Sequence, residues 1–548
     1  MASAYASSLY SSSPAPEDQV FRLPDLPPEL IISVIRHMSR KSLSQLCLTS
    51  RGFLSYCQPL LYETVDLRLR KDLGLDPCHS QALLSQNHTG LEYVKHFIVS
   101  GEVSWELPGG LSGEASEVVS ISGPAYVSLQ QFQDQSILCI LRNIPRNKLR
   151  SFIWSTNVEM SFYITEELCK NQQRLEGFWA PRNDSCVDGK VLLDFSDLSL
   201  KWKLKHIHII DISRSPWLEF IFRMIRMSAT SLETLSLEFS DVFLDFLREE
   251  LVDISGLGSE IPQLDYYEAS WGTIAATQLG MDFTTAELQP ATDNAPLAPL
   301  LRYLSLRGFD ESFFTEFPWL RKAIDFTRLE VLKVKDSGDM PSLGRCLLDG
   351  QLRLTTFHLF RSINEAQIVE ILISFNGLEE LVLEGKCEDA GRMALAISNH
   401  KNSLRRLYWH PTSNNGRIEV APDMRSSFFG GLEHLIELAI SSSLASFRQK
   451  QMSNLKFIWL LRKYDGPVHL EQENAFASKA FKIFRRLDYL LVGQKEIFNL
   501  KEKMRRVMRR PGRIHSVEQN FGHVSKERGK YYKLLRLDIP WMPTGIDR

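Results

Sequence analysis

One short pattern recurs along most of this chain: an apolar residue, two variable ones, a second apolar residue, one variable, a third apolar. It reads Leu149-Phe152-Trp154, Leu175-Phe178-Ala180, Leu204-Ile207-Ile209, Leu232-Leu235-Leu237, Leu301-Leu304-Leu306 and Leu329-Leu332-Val334. It continues as Leu354-Phe357-Leu359, Leu378-Leu381-Leu383, Leu404-Leu407-Trp409, Leu435-Leu438-Ile440, Leu455-Ile458-Leu460 and Leu487-Leu490-Val492. Successive copies start 26, 29, 28, 69, 28, 25, 24, 26, 31, 20 and 32 residues apart. Few architectures accept such repetition. The last two apolar residues of each copy lie two apart, so on a strand both leave the same face. The first closes the turn beneath them. Stacked copies then make a parallel sheet with one continuous apolar interior.

Between copies the spacing predicts outer helices. Ile368, Ile371, Leu372 and Phe375 recur at the period of a buried helix face, after Ser362-Ile-Asn-Glu365, which reads as a capping box. Leu218, Ile221, Phe222 and Ile225 repeat that spacing before the fourth copy. Earlier, Val65-Leu67-Leu69 and Val94-Phe97-Val99 read as strands, 101–126 as a loop and 128–144 as a helix. The spacing of copies resembles an irregular leucine-rich repeat. The Asn that this family places eight residues after each first leucine stands at Asn157 and Asn183, and Ser replaces it at Ser240, Ser337, Ser362 and Ser443. The expected class is therefore α/β: a solenoid over 65–499, parallel strands on its concave side and helices outside. The 69-residue interval holds an amphipathic helix at Phe243–Val252 and an insertion, within about 238–300, that projects as a long loop.

Ahead of the repeats lies a different kind of segment, Leu23 to Tyr62. Pro27 and Pro28 precede a helical stripe of Leu30, Ile31, Val34, Ile35 and Met38. Leu43, Leu46 and Cys47 form a second apolar group, and Phe53, Leu54 and Tyr56 a third. About forty residues in such short helices bury little surface alone, so this apolar face needs a partner. The order of Leu26-Pro27, Glu29-Leu30, Ile35, Leu43, Leu46, Leu48-Thr49-Ser50-Arg51, Phe53 and Pro59-Leu60-Leu61-Tyr62 resembles an F-box of the form common in fungal proteins, here spanning 21–64. Arg40-Lys41 departs from it, where many F-boxes carry an acidic residue or a proline. An N-terminal helical cap on the repeats is the alternative reading.

The chain has 548 residues and a net charge of −2, so no global field draws it to nucleic acid or to a membrane. No apolar run reaches membrane-spanning length. The Ser- and Ala-rich residues 1–20 read as a disordered tail rather than a secretory signal. None of the eight cysteines forms a CxxC pair, which fits reduced thiols in an intracellular protein, cytoplasmic or nuclear. The segment 494–510 reads as a basic helix within a C-terminal cap or tail over 500–548. The basic cluster Arg505, Arg506, Arg509, Arg510 and Arg513 forms a solvated face of a capping helix or, alternatively, a nuclear signal or nucleic-acid contact. Tyr532-Leu535-Leu537 marks a final strand.

The chain shows no phosphate-binding loop, nucleophile elbow or zincin motif. His206 and His208 alternate with Ile207 and Ile209, lining the open face rather than holding a metal. No cofactor or metal is expected. The residues that flank the buried leucines fall on the concave side: Arg307, Lys333, Lys335, His358, Phe360, Arg406, Tyr408, His410, Phe457, Trp459 and Tyr489. Aromatic and basic residues of this kind favour protein binding. Their basic members suit an acidic or phosphorylated motif. Cover by segment 500–548 is the alternative.

The F-box resemblance implies a substrate receptor of an SCF-type cullin–RING ubiquitin ligase, with no bond chemistry of its own. Leu26, Pro27, Leu30, Ile31, Val34, Ile35, Leu43, Leu46 and Phe53 match positions that contact the Skp-type adaptor in that family, and a cullin follows through the adaptor. The repeats would hold a target protein not named by the sequence. A binding scaffold without ligase activity, or an enzyme with a site in the 238–300 insertion, are the other readings.

Overall fold

The computed structural model describes residues 26–70, 74–75, 83–84, 89–101, 124–156, 160–180, 201–212, 215–239, 298–308, 324–335, 341–360, 364–385, 387–411, 431–440, 454–461, 489–493, 504–510 and 513–519. Three helices come first: α1 Pro28–Arg36, α2 Arg40–Thr49 and α3 Arg51–Tyr62. Ser39 and Ser50 cap α2 and α3 by accepting from Ser42 N and Phe53 N. Ile31, Ile35, Leu43 and Cys57 make a small core of their own. α3 then runs almost directly into β1, Thr64–Arg70. Arg40, the departure from the family pattern, donates to Leu61 O at 3.0 Å and also to Thr64 O. It therefore holds the α3 end, as a cation near a helix C-terminus does.

From β1 onward the repeat pattern becomes one sheet. β1 pairs briefly with the antiparallel β2 Gly74–Leu75. Its main partner is β3 His96–Gly101, followed in chain order by β4 Ser151–Thr156, β5 Gly177–Ala180, β6 His206–Ile212, β7 Thr234–Phe239 and β8 Tyr303–Arg307. β9 Val331–Lys335, β10 Thr356–Phe360, β11 Glu380–Gly385, β12 Arg406–Pro411, β13 Glu437–Ile440, β14 Phe457–Leu461 and β15 Tyr489–Gly493 continue it. All these neighbours are parallel. The α/β class and the stacking of copies read from the spacing match this arrangement. The long interval before the fifth copy leaves the sheet undisturbed, since β7 and β8 pair directly as Thr234↔Tyr303 through Glu238↔Arg307.

The interior is a single cluster running from Val65 to Ile458, with Tyr62 of α3 packed against it. In-register rings Phe97, Phe152 and Phe178 stack at 6.0 and 6.1 Å between centroids, and Phe178 meets Trp202 at 5.4 Å. Trp202 satisfies its indole N–H on Gln172 O at 3.1 Å. Helices Pro124–Asn143, Phe162–Asn171, Ser215–Ser228, Pro341–Asp349, Glu365–Ser374 and Ala390–Ser398 connect strands and contribute apolar faces to this cluster. The spacing-derived faces hold at Ile368, Ile371 and Leu372, and at Ile221 and Ile225. The capping box does not: Asn364 is the cap, accepting from Ala366 N at 2.9 Å. Glu365 instead accepts from Glu388 N and Asp389 N, tying its helix to the next repeat's loop.

Each strand from β5 to β14 is entered by the same device. The residue after the first leucine of a copy offers its carbonyl to two successive N–H groups of the next. Arg150 O accepts from Glu176 N at 2.7 Å and Gly177 N at 2.9 Å, and Glu176 O from Lys205 N at 2.7 Å and His206 N at 3.0 Å. The set continues through Lys205, Glu233, Arg302, Glu330, Thr355, Glu379, Arg405 and Ile436. The side chains at this position alternate in charge from Arg150 to Glu330. Ion pairs follow: Arg150–Glu176 at 2.6 Å, Lys205–Glu176 at 3.0 Å, Arg302–Glu330 at 3.5 Å and Arg405–Glu379 at 3.9 Å. Each exposed pair stabilises by only about 0.2–1 kcal/mol, so the ladder's value lies in register more than in strength.

The expected basic helix over 494–510 is replaced at its end by a strand. β16 Met504–Arg510 and β17 Arg513–Gln519 form an antiparallel hairpin against β15. β15 would otherwise present a row of unpaired backbone groups, and closing that edge outweighs the helix propensity of Met and Arg. The loop expected over 101–126 ends earlier than that, because the following helix begins at Pro124. The helix Phe243–Val252, residues 255–297 of the insertion, residues 1–20, the Asn and Ser positions 157, 183, 240, 337, 362 and 443, and the strand near Leu535 lie outside the described residues, whereas Ala298 at the insertion's end is buried and bridges to Ile324.

One buried acid sits apart from every ladder. Asp134, on the helix Pro124–Asn143, has an Oδ1 without a hydrogen-bond partner among the described residues. Burial pushes its carboxyl up to about 7, against the opposing pull of Ser161. A raised folded-state pKa means that the fold binds the proton more tightly than the unfolded chain. Stability therefore falls as pH rises from about 4 through about 7 and levels off above. Asp134→Asn is expected to remove that decline and to exceed the parent by up to about 4 kcal/mol at pH 8. Denaturant titrations at pH 5 and 8 check this; equal pH dependence in both proteins would refute it.

Candidate functional site

Two surfaces carry the residues singled out by the sequence. The first is the α1–α3 bundle, and its nine candidate residues divide sharply. Ile31, Ile35 and Leu43 are buried in the bundle's own core, with Leu26, Leu46 and Phe53 partly buried against it. They shape the surface rather than form it. Pro27, Leu30 and Val34 remain outside, Leu30 at 52% and Val34 at 45% exposure. Leu30 and Val34 are four apart on α1 and so share one helix face. Two further apolar residues, named in the sequence pattern but not among the nine candidates, are exposed nearby in the chain: Leu48, 86% accessible near the end of α2, and Leu54 on α3. Their signal was present. Leu48 breaks the α2 stripe of Leu43, Leu46 and Cys47, and an apolar residue off the buried stripe is a candidate for contact outside the domain.

The second surface is the sheet face turned away from the helices. Register places its residues in three transverse rows. One runs His206, Thr234, Tyr303, Val331, Thr356, Glu380, Arg406, Glu437, Phe457 and Tyr489. The next runs Trp179, His208, Ser236, Ser305, Lys333, His358, Val382, Tyr408, Ala439 and Trp459. The third holds Glu238, Arg307, Lys335, Phe360, Glu384 and His410. The eleven candidate residues thus do share one face, and Arg307, Arg406 and His410 retain partial exposure.

Open exposure does not hold for the others that are described. Lys333 is 5% accessible, and Lys335, His358, Phe360, Tyr408 and Phe457 are likewise buried. The strand positions of Trp459 and Tyr489 are described, not their side chains. His206 is half-buried and keeps partial exposure on this face, with Nδ1 3.1 Å from Thr234 Oγ1, whereas His208 is buried and does not lie on an open surface.

Acidic residues that the sequence reading left out connect this face. His358 donates from Nε2 to Glu380 Oε1 at 2.7 Å, and Arg406 donates to Glu380 Oε2 at 2.6 Å. Arg406 also reaches Glu437 at 3.5 Å, and Tyr408 donates to Glu384 at 3.3 Å. Burial opposes ionisation of Glu380. The His358 hydrogen bond and the Arg406 guanidinium outweigh it and hold the carboxyl at about 2. Burial drives His358 the other way, to about 4, with Lys333 and Lys335 adding to the shift against the pull of Glu380. At neutral pH the pair is a neutral imidazole donating to a carboxylate whose charge Arg406 balances.

Among the described residues no group of three or more His, Cys, Asp or Glu is placed to hold a metal. No described helix is long and apolar enough to cross a membrane. Residues 23–60 match the F-box domain family. No curated protein matches the chain.

Proposed function

We propose that this chain is the substrate-receptor subunit of an SCF-type cullin–RING ubiquitin ligase, working in the cytoplasm or nucleus. The family match over 23–60 supports adaptor binding. The observation that carries it further is the solvent-facing apolar set of Leu30, Val34, Leu48 and Leu54, left over once α1–α3 have built their own core. Such residues lose water only against a partner. A Skp-type adaptor covers them and brings the cullin. The three sheet-face rows receive a target protein, with Arg307, Arg406 and His410 at its accessible parts.

The chain would perform no bond chemistry. It would act by proximity, raising the effective concentration of target lysines at the ubiquitin-charged enzyme. The direct junction of α3 with β1, secured by Arg40, suits that task, because a target on the sheet then has a fixed relation to the adaptor.

Co-purification tests the reading. The intact chain is expected to bring down the adaptor and, through it, the cullin, and a chain lacking residues 23–62 is expected to bring down neither. A folded intact chain that captures no adaptor would refute it. Adaptor capture without cullin-dependent loss of any bound target would make the protein a scaffold.

A further inference from the structure

The turns that lead into β4, β5 and β6 repeat a charge. Residues 145–150 read Pro-Arg-Asn-Lys-Leu-Arg, 172–176 Gln-Gln-Arg-Leu-Glu and 201–205 Lys-Trp-Lys-Leu-Lys. They hold seven cations and one carboxylate, Glu176. Glu176 is already bound by Arg150 at 2.6 Å and Lys205 at 3.0 Å. The other five cations, Arg146, Lys148, Arg174, Lys201 and Lys203, are exposed, and no side chain among them has a hydrogen-bond or ion-pair partner among the described residues. Acids on the preceding helix are engaged as well, Glu167 with Arg142 at 3.0 Å and Glu166 with Lys170 at 2.6 Å. Lys148, Arg174 and Lys203 each stand one residue before the first leucine of a copy. Strand register therefore sets them side by side, about 5 Å apart at the backbone. At the same position Tyr93 precedes the run and Ser231 ends it.

The fold does not need these charges, because uncharged groups lock the turns. Asn147 adopts left-handed backbone (φ 62°), donates its N–H to Asn171 O at 2.9 Å and accepts from Gln173 N at 2.8 Å. Gln172 accepts from Leu149 N at 3.1 Å and donates to Pro145 O at 3.3 Å, and its own carbonyl takes the Trp202 indole. Like charges fixed on such a platform repel one another until an anion covers them. What the strip lacks narrows the choice of anion. No large apolar side chain of these turns is exposed, so nothing here enters a membrane. Trp202 is buried, and Asn147 and Gln172 are bonded within the turns, which leaves one amide, Gln173, to read bases. The seven cations and one carboxylate sum to +6, so the rest of the chain sums to −8 against the total of −2. A long polyanion gains nothing beyond these three copies.

We propose that Arg146, Lys148, Arg174, Lys201 and Lys203 dock a short acidic segment of a partner protein, its carboxylates spread across the entries to β4, β5 and β6. Both cation types form charge-assisted bonds to carboxylates, and arginine does so with two parallel donors. Each exposed pair contributes only about 0.2–1 kcal/mol, so the surface holds its segment by number and loses it in salt. It lies on the strand-entry rim, apart from α1–α3 and from the sheet face, and does not depend on the receptor reading.

The test uses the full chain and a fluorescent peptide of alternating Asp and Ser, beside a twin with Asn at every Asp. Anisotropy titrations at low salt are expected to show saturable binding of the acidic peptide, about tenfold or more tighter than the twin. That binding is expected to vanish as salt rises toward about 1 M. Lys148→Glu with Lys203→Glu is expected to keep the parent's melting temperature, since both side chains are exposed, and to weaken the peptide about tenfold. Arg353→Glu with Lys401→Glu makes the same change in net charge at exposed positions of later copies and is expected to leave affinity within about twofold. Equal binding of the two peptides, or equal loss in the two double variants, overturns the proposal. So does a short DNA duplex that binds tighter than the acidic peptide and is released by the Lys148 and Lys203 changes. Adaptor capture is read on α1–α3, so it stands or fails independently.

Discussion

Arg406→Ala is expected to destabilise the protein by about 3–5 kcal/mol, the usual cost of stranding buried charge. The guanidinium touches two carboxylates, Glu380 at 2.6 Å and Glu437 at 3.5 Å, and both are buried. Without it, Glu380 keeps only the hydrogen bond from the neutral His358, and Glu437 loses its ion pair with Arg406. Denaturant unfolding at pH 7 measures the loss, and a change below about 1 kcal/mol, the range of an exposed pair, would sink the reading. pH supplies a second signature. The folded-state pKa of Glu380 is depressed, so its contribution is full above the unfolded value near 4.5 and fades as pH falls toward 2. The penalty of Arg406→Ala should therefore shrink across that interval.

The largest effect on binding is expected from Leu30→Asp combined with Val34→Asp. Both side chains are half-exposed, so the fold should change by no more than about 0.5 kcal/mol each. An interface that covers them would lose on the order of 100-fold in adaptor affinity, as hot-spot residues do. Ile35→Asp provides the contrast. Ile35 is fully buried, and a carboxylate there should unfold α1–α3 and abolish binding by another route. Circular dichroism beside an adaptor-binding titration separates the two. Retained affinity in the folded double variant would exclude this α1 face as the docking surface.

The sheet was legible because its signal is a sum over many copies. No single Leu-x-x-Leu-x-Leu is specific, but a dozen in series leave few alternatives. The rows were legible too, since residues two apart must share a face. What spacing could not supply was the depth of burial. Lys333 and Tyr408 occupy the expected face and still lie out of solvent, because burial depends on what stands across from a strand, not on its period. Seeking aromatic and basic residues also hid Glu380, Glu384 and Glu437, which stand at the same repeat positions and make the network close. In α1–α3 the helical stripe was readable, but the division into core and surface turns on side-by-side residues such as Leu30 and Ile31. One carries the bundle and its neighbour faces out. The C-terminal hairpin was missed because composition there favours helix, whereas the open edge of β15 is a fact about the neighbour.

The strand-entry ladder has a consequence for assembly. From Arg150 to Ile436 each of these carbonyls offers the same pair of bonds, so the backbone there cannot distinguish the correct next copy from a later one. The alternating side chains can. A stack that omits Lys205 sets Glu176 against Glu233; one that omits Glu233 sets Lys205 against Arg302; one that omits Arg302 sets Glu233 against Glu330. Each single omission brings like charges together, which is unfavourable for adjacent strands. Omitting two neighbours restores opposite signs, as when Lys205 meets Glu330. What the ladder enforces is therefore parity: through this part of the array, copies are kept or lost in pairs.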